Sequence, residues 1–176
     1  TRLEDLPYPV RVGATDFNTG EEVIIREGTI VDALRSSCSI PAVFTPHFHP
    51  TAQRWLVDGM ISQNLPIALA QKEYQGDIIA SDVATAFDES IDFGKRRWLL
   101  RSPGLYAAAD RSLRIMLRHQ RDAIDIHKRT TVIAPCTEGF SSFDYFRLSK
   151  IATTGKAAAE QALGKNNERF TENRRK

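Results

Sequence analysis

The sequence predicts a layered α/β fold that begins with a short antiparallel hairpin. Apolar strand segments alternate with helical segments along the chain, which is the order expected of α/β layers. The strand segments are almost continuously apolar, as in strands buried on both faces, and turn residues separate the first two. The composition, with 41% hydrophobic and 26% charged residues among 176, excludes wholly disordered, collagen-like and disulfide-scaffold proteins.

The first elements lie in residues 9–66. Residues 9–15 predict a strand, turn chemistry at 16–20 follows, and residues 22–26 predict the second strand of the hairpin. Thr29 is placed to cap a helix that ends before Pro41. A short strand at 54–57 then runs directly into Asp58 and Gly59.

The later elements continue the alternation of helix and strand. The connection at 84–104 is irregular, and a basic, polar and disordered tail at 164–176 follows the ordered region 1–163. The predicted elements are a short helix at 66–74, a buried strand at 77–83, a helix at 105–128, a strand at 130–135 and a final helix at 143–163.

The net charge of +2 belongs to the tail. Residues 164–176 hold five basic and two acidic side chains, so the rest of the chain has a net charge of −1. A nucleic-acid module would carry basic surface across its fold, so we expect no nucleic-acid partner. Cys38 and Cys136 set no disulfide framework, and we expect two free, mostly buried thiols, with a single bridge as the alternative. Free thiols and the lack of a signal pattern predict a cytoplasmic or peripheral membrane location.

Asp58 is the main candidate for chemistry. It follows an apolar strand, Gly59 allows a sharp turn, and the tips of strands in open α/β sheets are where catalytic groups collect. Asp58 is therefore a candidate general base, and the alternative is that it only accepts hydrogen bonds from turn amides. For Asp16 and Asp82, which also follow apolar strands, we prefer the structural interpretation.

Several blocks of the sequence occur in an informative order: residues 6–16 with Thr19-Gly20, residues 35–44, Leu56-Val57-Asp58-Gly59, Asn64-Leu65-Pro66 and residues 77–83. Together these blocks resemble the patatin-like phospholipase family. The resemblance covers residues 3 to about 83, and more weakly 130–163. It implies an α/β/α serine hydrolase with a Ser-Asp dyad that cleaves a lipid or other carboxylic ester without a metal or cofactor.

The same resemblance assigns roles around Asp58. Asp58 matches the dyad aspartate of the family's Asp-Gly-Gly or Asp-Gly-Ala motif, and Met60 departs from that motif with a larger side chain. Gly59 is expected to fix the turn, and Asn64 to donate a supporting hydrogen bond in the Asp58 and oxyanion region. The family's G-x-S-x-G elbow and Gly-rich oxyanion loop do not occur in this sequence. The chain thus resembles the C-terminal half of such an enzyme, inactive alone, with the N-terminal half as its partner.

Alternative interpretations remain open. In one alternative, the chain is a non-catalytic α/β module that binds a partner or a membrane surface, and Met60 is a sign of a decayed site. In another, a separate N-terminal chain completes the site in trans. His47 and His49 form an H-x-H pair that would suit a metal, although loop histidines are the simpler reading. The cationic, apolar segment 95–101 suits an interfacial contact or a lid, and the arginines of the 105–128 helix suit either a solvated face or a lipid surface.

Overall fold

A computed structural model describes residues 1–83, 105–124, 126, 129–137, 140 and 145–164. The described chain forms two units, residues 1–66 with 103–122 and residues 67–102 with 123–176. The irregular connection at 84–104, the cationic segment 95–101 within it and the tail after residue 164 lie outside the described residues.

The first unit is built on a four-stranded sheet in which every pairing is antiparallel, with strand order β2-β1-β4-β3. The first two strands form the predicted hairpin, in which Val12 pairs with Ile25. At the centre of the sheet, Ala14 pairs with Asp58. The strands are β1 (Val12–Asp16), β2 (Glu22–Ile25), β3 (His47–His49) and β4 (Arg54–Asp58).

Helix α1 (Ile30–Ser37) packs on this sheet and closes the core of the first unit. Thr29 caps it as predicted, because its hydroxyl oxygen accepts the Asp32 N–H at 3.0 Å. The core joins the helix, the sheet and the N-terminal 3₁₀ turn at Leu3–Asp5, and burial of these apolar side chains is the main stabilising contribution. Its buried members are Leu3, Ala14, Ile25, Ala33 and Leu56.

Two further helices belong to the first unit. The short helix α2 (Met60–Gln63) starts where β4 ends and packs against β1. Helix α4 (Leu105–Asp122) contacts α2. The sequence predicts a helix over 105–128, and the described helix ends at Asp122.

The second unit contains a parallel pair of strands with helices against it. Strands β5 (Ile78–Ser81) and β6 (Thr130–Ile133) pair in parallel, with Ile78 opposite Thr130. Helix α3 (Ile67–Glu73) packs on β5 and helix α5 (Leu148–Gly164) on β6, preceded by a 3₁₀ turn at Tyr145–Arg147. The α/β class with an antiparallel hairpin at its start is therefore confirmed.

The cysteines differ from expectation in one respect. Cys38 and Cys136 are both free, as expected, but both are exposed, so the expectation of buried thiols is wrong. Cys38 lies at the C-terminal end of α1, where its N–H donates to the Leu34 carbonyl at 2.9 Å, and its side chain lies outside the buried core. Within the described ranges, no helix is both long enough and apolar enough to cross a membrane.

Candidate active site

Asp58 is held by backbone hydrogen bonds on both sides. Its N–H donates to the Ser39 carbonyl at 3.0 Å, in the segment that follows α1. Its carboxylate Oδ1 accepts the Met60 N–H at 3.0 Å. The side chain is half-buried at the end of β4, directly after the buried Leu56 and Val57. These contacts fix the carboxylate relative to the sheet.

The surroundings of Asp58 favour its neutral form more than water does. Burial raises the pKa of the Asp58 carboxyl above its ordinary value of 3.8, and the Met60 N–H partly offsets this. No hydrogen bond from a described residue reaches Oδ2. The alternative of a carboxylate that only accepts hydrogen bonds from turn amides therefore accounts for one of the two oxygens.

Gly59 is required by a close approach of two backbones. Its φ of −62° lies in the right-handed helical region, which any residue adopts. A Cβ on Gly59 would lie 2.6 Å from the Gly13 carbonyl oxygen and 2.8 Å from its carbon. The turn after Asp58 therefore excludes a side chain because β1 runs against it, and not because the turn is conformationally special as the sequence suggests.

The hydroxyls of Thr15 and Ser62 link α2 to the end of β4 by hydrogen bonds. Thr15 on β1 donates its hydroxyl proton to the Asp58 carbonyl at 2.9 Å. The Thr15 and Ser62 Oγ atoms lie 2.9 Å apart, and either hydroxyl can be the donor in this contact, because the Ser62 hydroxyl also reaches the Gly59 carbonyl at 3.3 Å. The Ser62 N–H also donates to Thr15 Oγ1 at 3.2 Å. The sequence gives no local signal of this pair.

Asn64 lies at the end of α2, where α4 holds it. Its N–H donates to Gln120 Oε1 at 3.1 Å, and Gln120 Nε2 donates to the Ile61 carbonyl at 2.7 Å. Among the described residues, no hydrogen bond joins the Asn64 side chain to Asp58. The supporting role of Asn64 stays a prediction.

Asp16 has the structural role that the sequence favours. It is buried, and its Oδ1 accepts the Asn18 N–H at 2.8 Å and the Thr19 N–H at 3.2 Å in the hairpin turn. Arg54 donates to Oδ2 at 3.0 Å. The turn N–H groups, together with Arg54, lower the pKa of Asp16. Both carboxylate oxygens of Asp16 thus have described hydrogen-bond partners.

The two histidines of β3 serve different partners. His47 Nε2 lies 3.1 Å from the Asp32 carboxylate. His49 is buried, and its Nδ1 accepts the Ala52 N–H at 3.1 Å. Burial lowers the pKa of His49. In the part of the chain that the structure describes, no group of three or more His, Cys, Asp or Glu side chains is arranged to hold a metal.

An apolar cavity of about 330 Å³ lies beside the Asp58 turn in the first unit. Its walls come from the segment after Ser39, from α2 and from α4. The lining residues are Ile40, Pro41, Ala42, Val43, Ile61, Ala109, Ser112, Leu113 and Met116.

Comparison with known proteins finds a match to one family model and to several relatives. The sequence model of the patatin-like phospholipase family matches residues 3–70, the range that contains β1–β4, α1, α2 and Asp58. Uncharacterized NTE family proteins of Mycobacterium bovis and Mycobacterium tuberculosis are 32% identical over 105 residues, which is 60% of this chain and 18% of each relative. Another uncharacterized NTE family protein of Mycobacterium tuberculosis is 39% identical over 66 residues, 38% of this chain and 18% of the relative. The matches therefore span less than a fifth of the length of these relatives.

Proposed function

Because this chain is patatin-like over residues 3–70, we propose that it supplies the aspartate of a Ser-Asp dyad to a serine hydrolase acting on lipid acyl esters. Asp58 is the proposed aspartate. The serine and the oxyanion donors are proposed to lie in an N-terminal segment outside this chain, which is the partner that the chain requires.

The carboxylate of Asp58 carries the proton through both halves of the reaction. It accepts the serine Oγ proton as Oγ attacks the ester carbonyl carbon, and it returns that proton to the departing alcohol oxygen as the C–O bond breaks. Water then attacks the acyl-serine carbonyl and gives a proton to Asp58. The serine leaves with that proton, and the carboxylic acid is released.

The observation that carries this proposal is the contrast between the two oxygens of Asp58. Oδ1 is fixed by the Met60 N–H at 3.0 Å, whereas no described residue bonds Oδ2. A base needs a fixed orientation and an unoccupied lone pair within reach of the proton, and a pKa raised by burial strengthens it as a base.

Met60 is compatible with this role. Its contribution to the site is the backbone N–H at the start of α2, and any residue other than proline supplies that donor. The departure from the family's Gly or Ala therefore leaves the hydrogen bond to Asp58 unchanged.

The test is Asp58→Asn in the intact protein that contains this chain together with the serine-bearing segment. Asparagine keeps an acceptor for Met60 but cannot take a proton, so kcat on a short-chain ester is expected to fall by at least about 100-fold. The matched control is Asp16→Asn, which changes a strand-end aspartate outside the site and is expected to leave kcat per folded molecule unchanged. Near-wild-type turnover of Asp58→Asn refutes the dyad role.

A further inference from the structure

The helix that follows Asp58 cannot be capped by its own N-cap residue. Gly59 occupies the N-cap position of α2 and has no side chain to accept a backbone N–H. A side chain is excluded there, because its Cβ would lie 2.6 Å from the Gly13 carbonyl oxygen. The first N–H groups of a helix have no partner within the helix, and a side-chain oxygen usually accepts one of them. The start of α2 therefore needs an acceptor from another element.

Thr15 on the neighbouring strand β1 supplies that acceptor. Its Oγ1 accepts the N–H of Ser62, the third residue of α2, at 3.2 Å. An N-cap serine or threonine binds the N–H at this same position of its own helix. The Thr15 hydroxyl also donates to the Asp58 carbonyl at 2.9 Å, and Thr15 is only 1% exposed. One buried hydroxyl thus holds both the last residue of β4 and the first turn of α2.

These contacts control the direction of the Asp58 carboxylate. Its Oδ1 is oriented by the Met60 N–H, the first N–H of α2, at 3.0 Å. The close approach of Gly13 leaves no room for the turn to move towards β1. The hydrogen bond from Thr15 to the Asp58 carbonyl resists movement of the turn away from β1. The turn is therefore restrained in both directions, and Thr15 provides one of the two restraints.

The other end of α2 is attached independently of Thr15. Gln120 on α4 donates to the Ile61 carbonyl at 2.7 Å and accepts the Asn64 N–H at 3.1 Å. Loss of the Thr15 hydroxyl is therefore expected to loosen the turn at Asp58 while α2 stays attached to the fold. A displacement of about 1 Å at a reacting group can slow a reaction by about 100-fold.

We propose that Thr15 is a positioning residue for Asp58, because it caps α2 from the neighbouring strand and thereby holds the carboxylate in line with the serine proton. The inference rests on the proposed function, in which Asp58 is the base. Thr15 is buried, so it acts on the rate through Asp58 and not by contact with the ester.

The first experiment compares two threonine-to-valine variants of the intact protein. In Thr15→Val, kcat per folded molecule on a short-chain ester is expected to fall at least about tenfold with KM within about twofold, because a misplaced base slows the chemical step. Thr29→Val is the matched control, since the Thr29 hydroxyl caps α1 by accepting the Asp32 N–H and donating to the Asp32 carboxylate. It is expected to lower the urea midpoint and to leave kcat per folded molecule unchanged. Equal kcat for the two variants overturns the proposal.

Thr15→Ser separates the hydroxyl from the methyl group of the side chain. Serine keeps the oxygen that caps α2, so kcat is expected to return to within about threefold of the wild-type value. A Thr15→Ser variant as slow as Thr15→Val overturns the proposal, because the effect would then belong to packing of the methyl group.

Hydrogen exchange in the wild-type protein makes the test independent of how the variants fold. The Ser62 N–H has no acceptor within its own helix, so its protection depends on Thr15. It is expected to exchange at least about tenfold more slowly than an unprotected amide. Exchange at the unprotected rate overturns the cap and the proposal with it.

Asp58→Asn separates this inference from the proposed function. Adding Thr15→Val to Asp58→Asn is expected to cause no further loss of turnover, because Thr15 acts through the missing carboxylate. A further loss of about tenfold overturns the positioning role. Undiminished turnover in Asp58→Asn overturns the dyad proposal and this inference together. Loss of turnover in Asp58→Asn with wild-type kcat in Thr15→Val overturns the inference alone.

Discussion

Replacing Gly59 by alanine is expected to push apart β1 and the turn that carries Asp58. The new Cβ would stand 2.6 Å from the Gly13 carbonyl oxygen, where ordinary contact begins at 3.4 Å, so about 0.8 Å of movement is required. The opposing atoms are backbone atoms of β1, which is paired with β2 and β4 at once. They cannot yield by rotating a side chain, so the strand or the turn has to shift.

The expected cost is that of overpacking, about 1–3 kcal/mol in the free energy of unfolding. Urea unfolding followed by circular dichroism measures it as a lower midpoint at unchanged slope. Gly13→Ala is the matched control, because a Cβ there meets no heavy atom within 4 Å. It is expected to be neutral or to stabilise by up to about 1 kcal/mol, since alanine loses less backbone entropy than glycine. Equal midpoints for Gly59→Ala and Gly13→Ala would refute the close-approach explanation.

Two further predictions concern pH and stability. Because burial raises the pKa of Asp58, its ionised form costs stability at neutral pH, and this cost disappears as the pH falls below the folded-state pKa. Asp58→Asn is therefore expected to raise the urea midpoint at about pH 7.5, with the gain shrinking towards about pH 4; no gain at pH 7.5 speaks against a desolvated carboxylate. Burial and the His47 charge lower the pKa of His49 below its ordinary value of 6.5, while Asp32 opposes them. His49 therefore contributes stability that is present above pH 6.5 and is lost as the pH falls below that value. His49→Asn, which keeps an acceptor for the Ala52 N–H, is expected to lose less stability than wild type between about pH 7.5 and pH 5.5, and an equal loss would assign the titration to other groups.

Features set by near neighbours in the chain were predictable from the sequence. Thr29 caps α1 through a residue three positions on, and Asp16 binds amides two and three positions on. The hairpin pairs Val12 with Ile25 across a short turn. In each case the interacting groups lie within one local window, so residue type and spacing contain the information.

Features that depend on distant partners were not predictable in this way. The Thr15–Ser62 hydroxyl pair and the Asn64–Gln120 contact span 47 and 56 residues. The need for glycine at 59 arises from the backbone of Gly13, which no pattern around residue 59 encodes. Asp58 itself was a candidate from its place after a strand, but its two unequal oxygens depend on how the chain folds.

The exposed thiols illustrate the same limit. Cysteine is usually buried, which is why the sequence favoured buried thiols. Cys38 lies at the end of α1, where its backbone N–H bonds to Leu34 and its side chain faces away from the core. The exposure of the Cys38 thiol depends on where the end of α1 lies on the sheet, and the amino-acid composition does not specify that position.

The central claim is that Asp58 activates a serine, and the most direct measurement is the rate of covalent modification of that serine. An alkyl fluorophosphonate reacts with a serine only when its Oγ proton can be removed. In the intact protein, Asp58→Asn is expected to slow labelling at least about 100-fold, while Asp16→Asn labels at the wild-type rate. Labelling of Asp58→Asn at the wild-type rate would contradict the account.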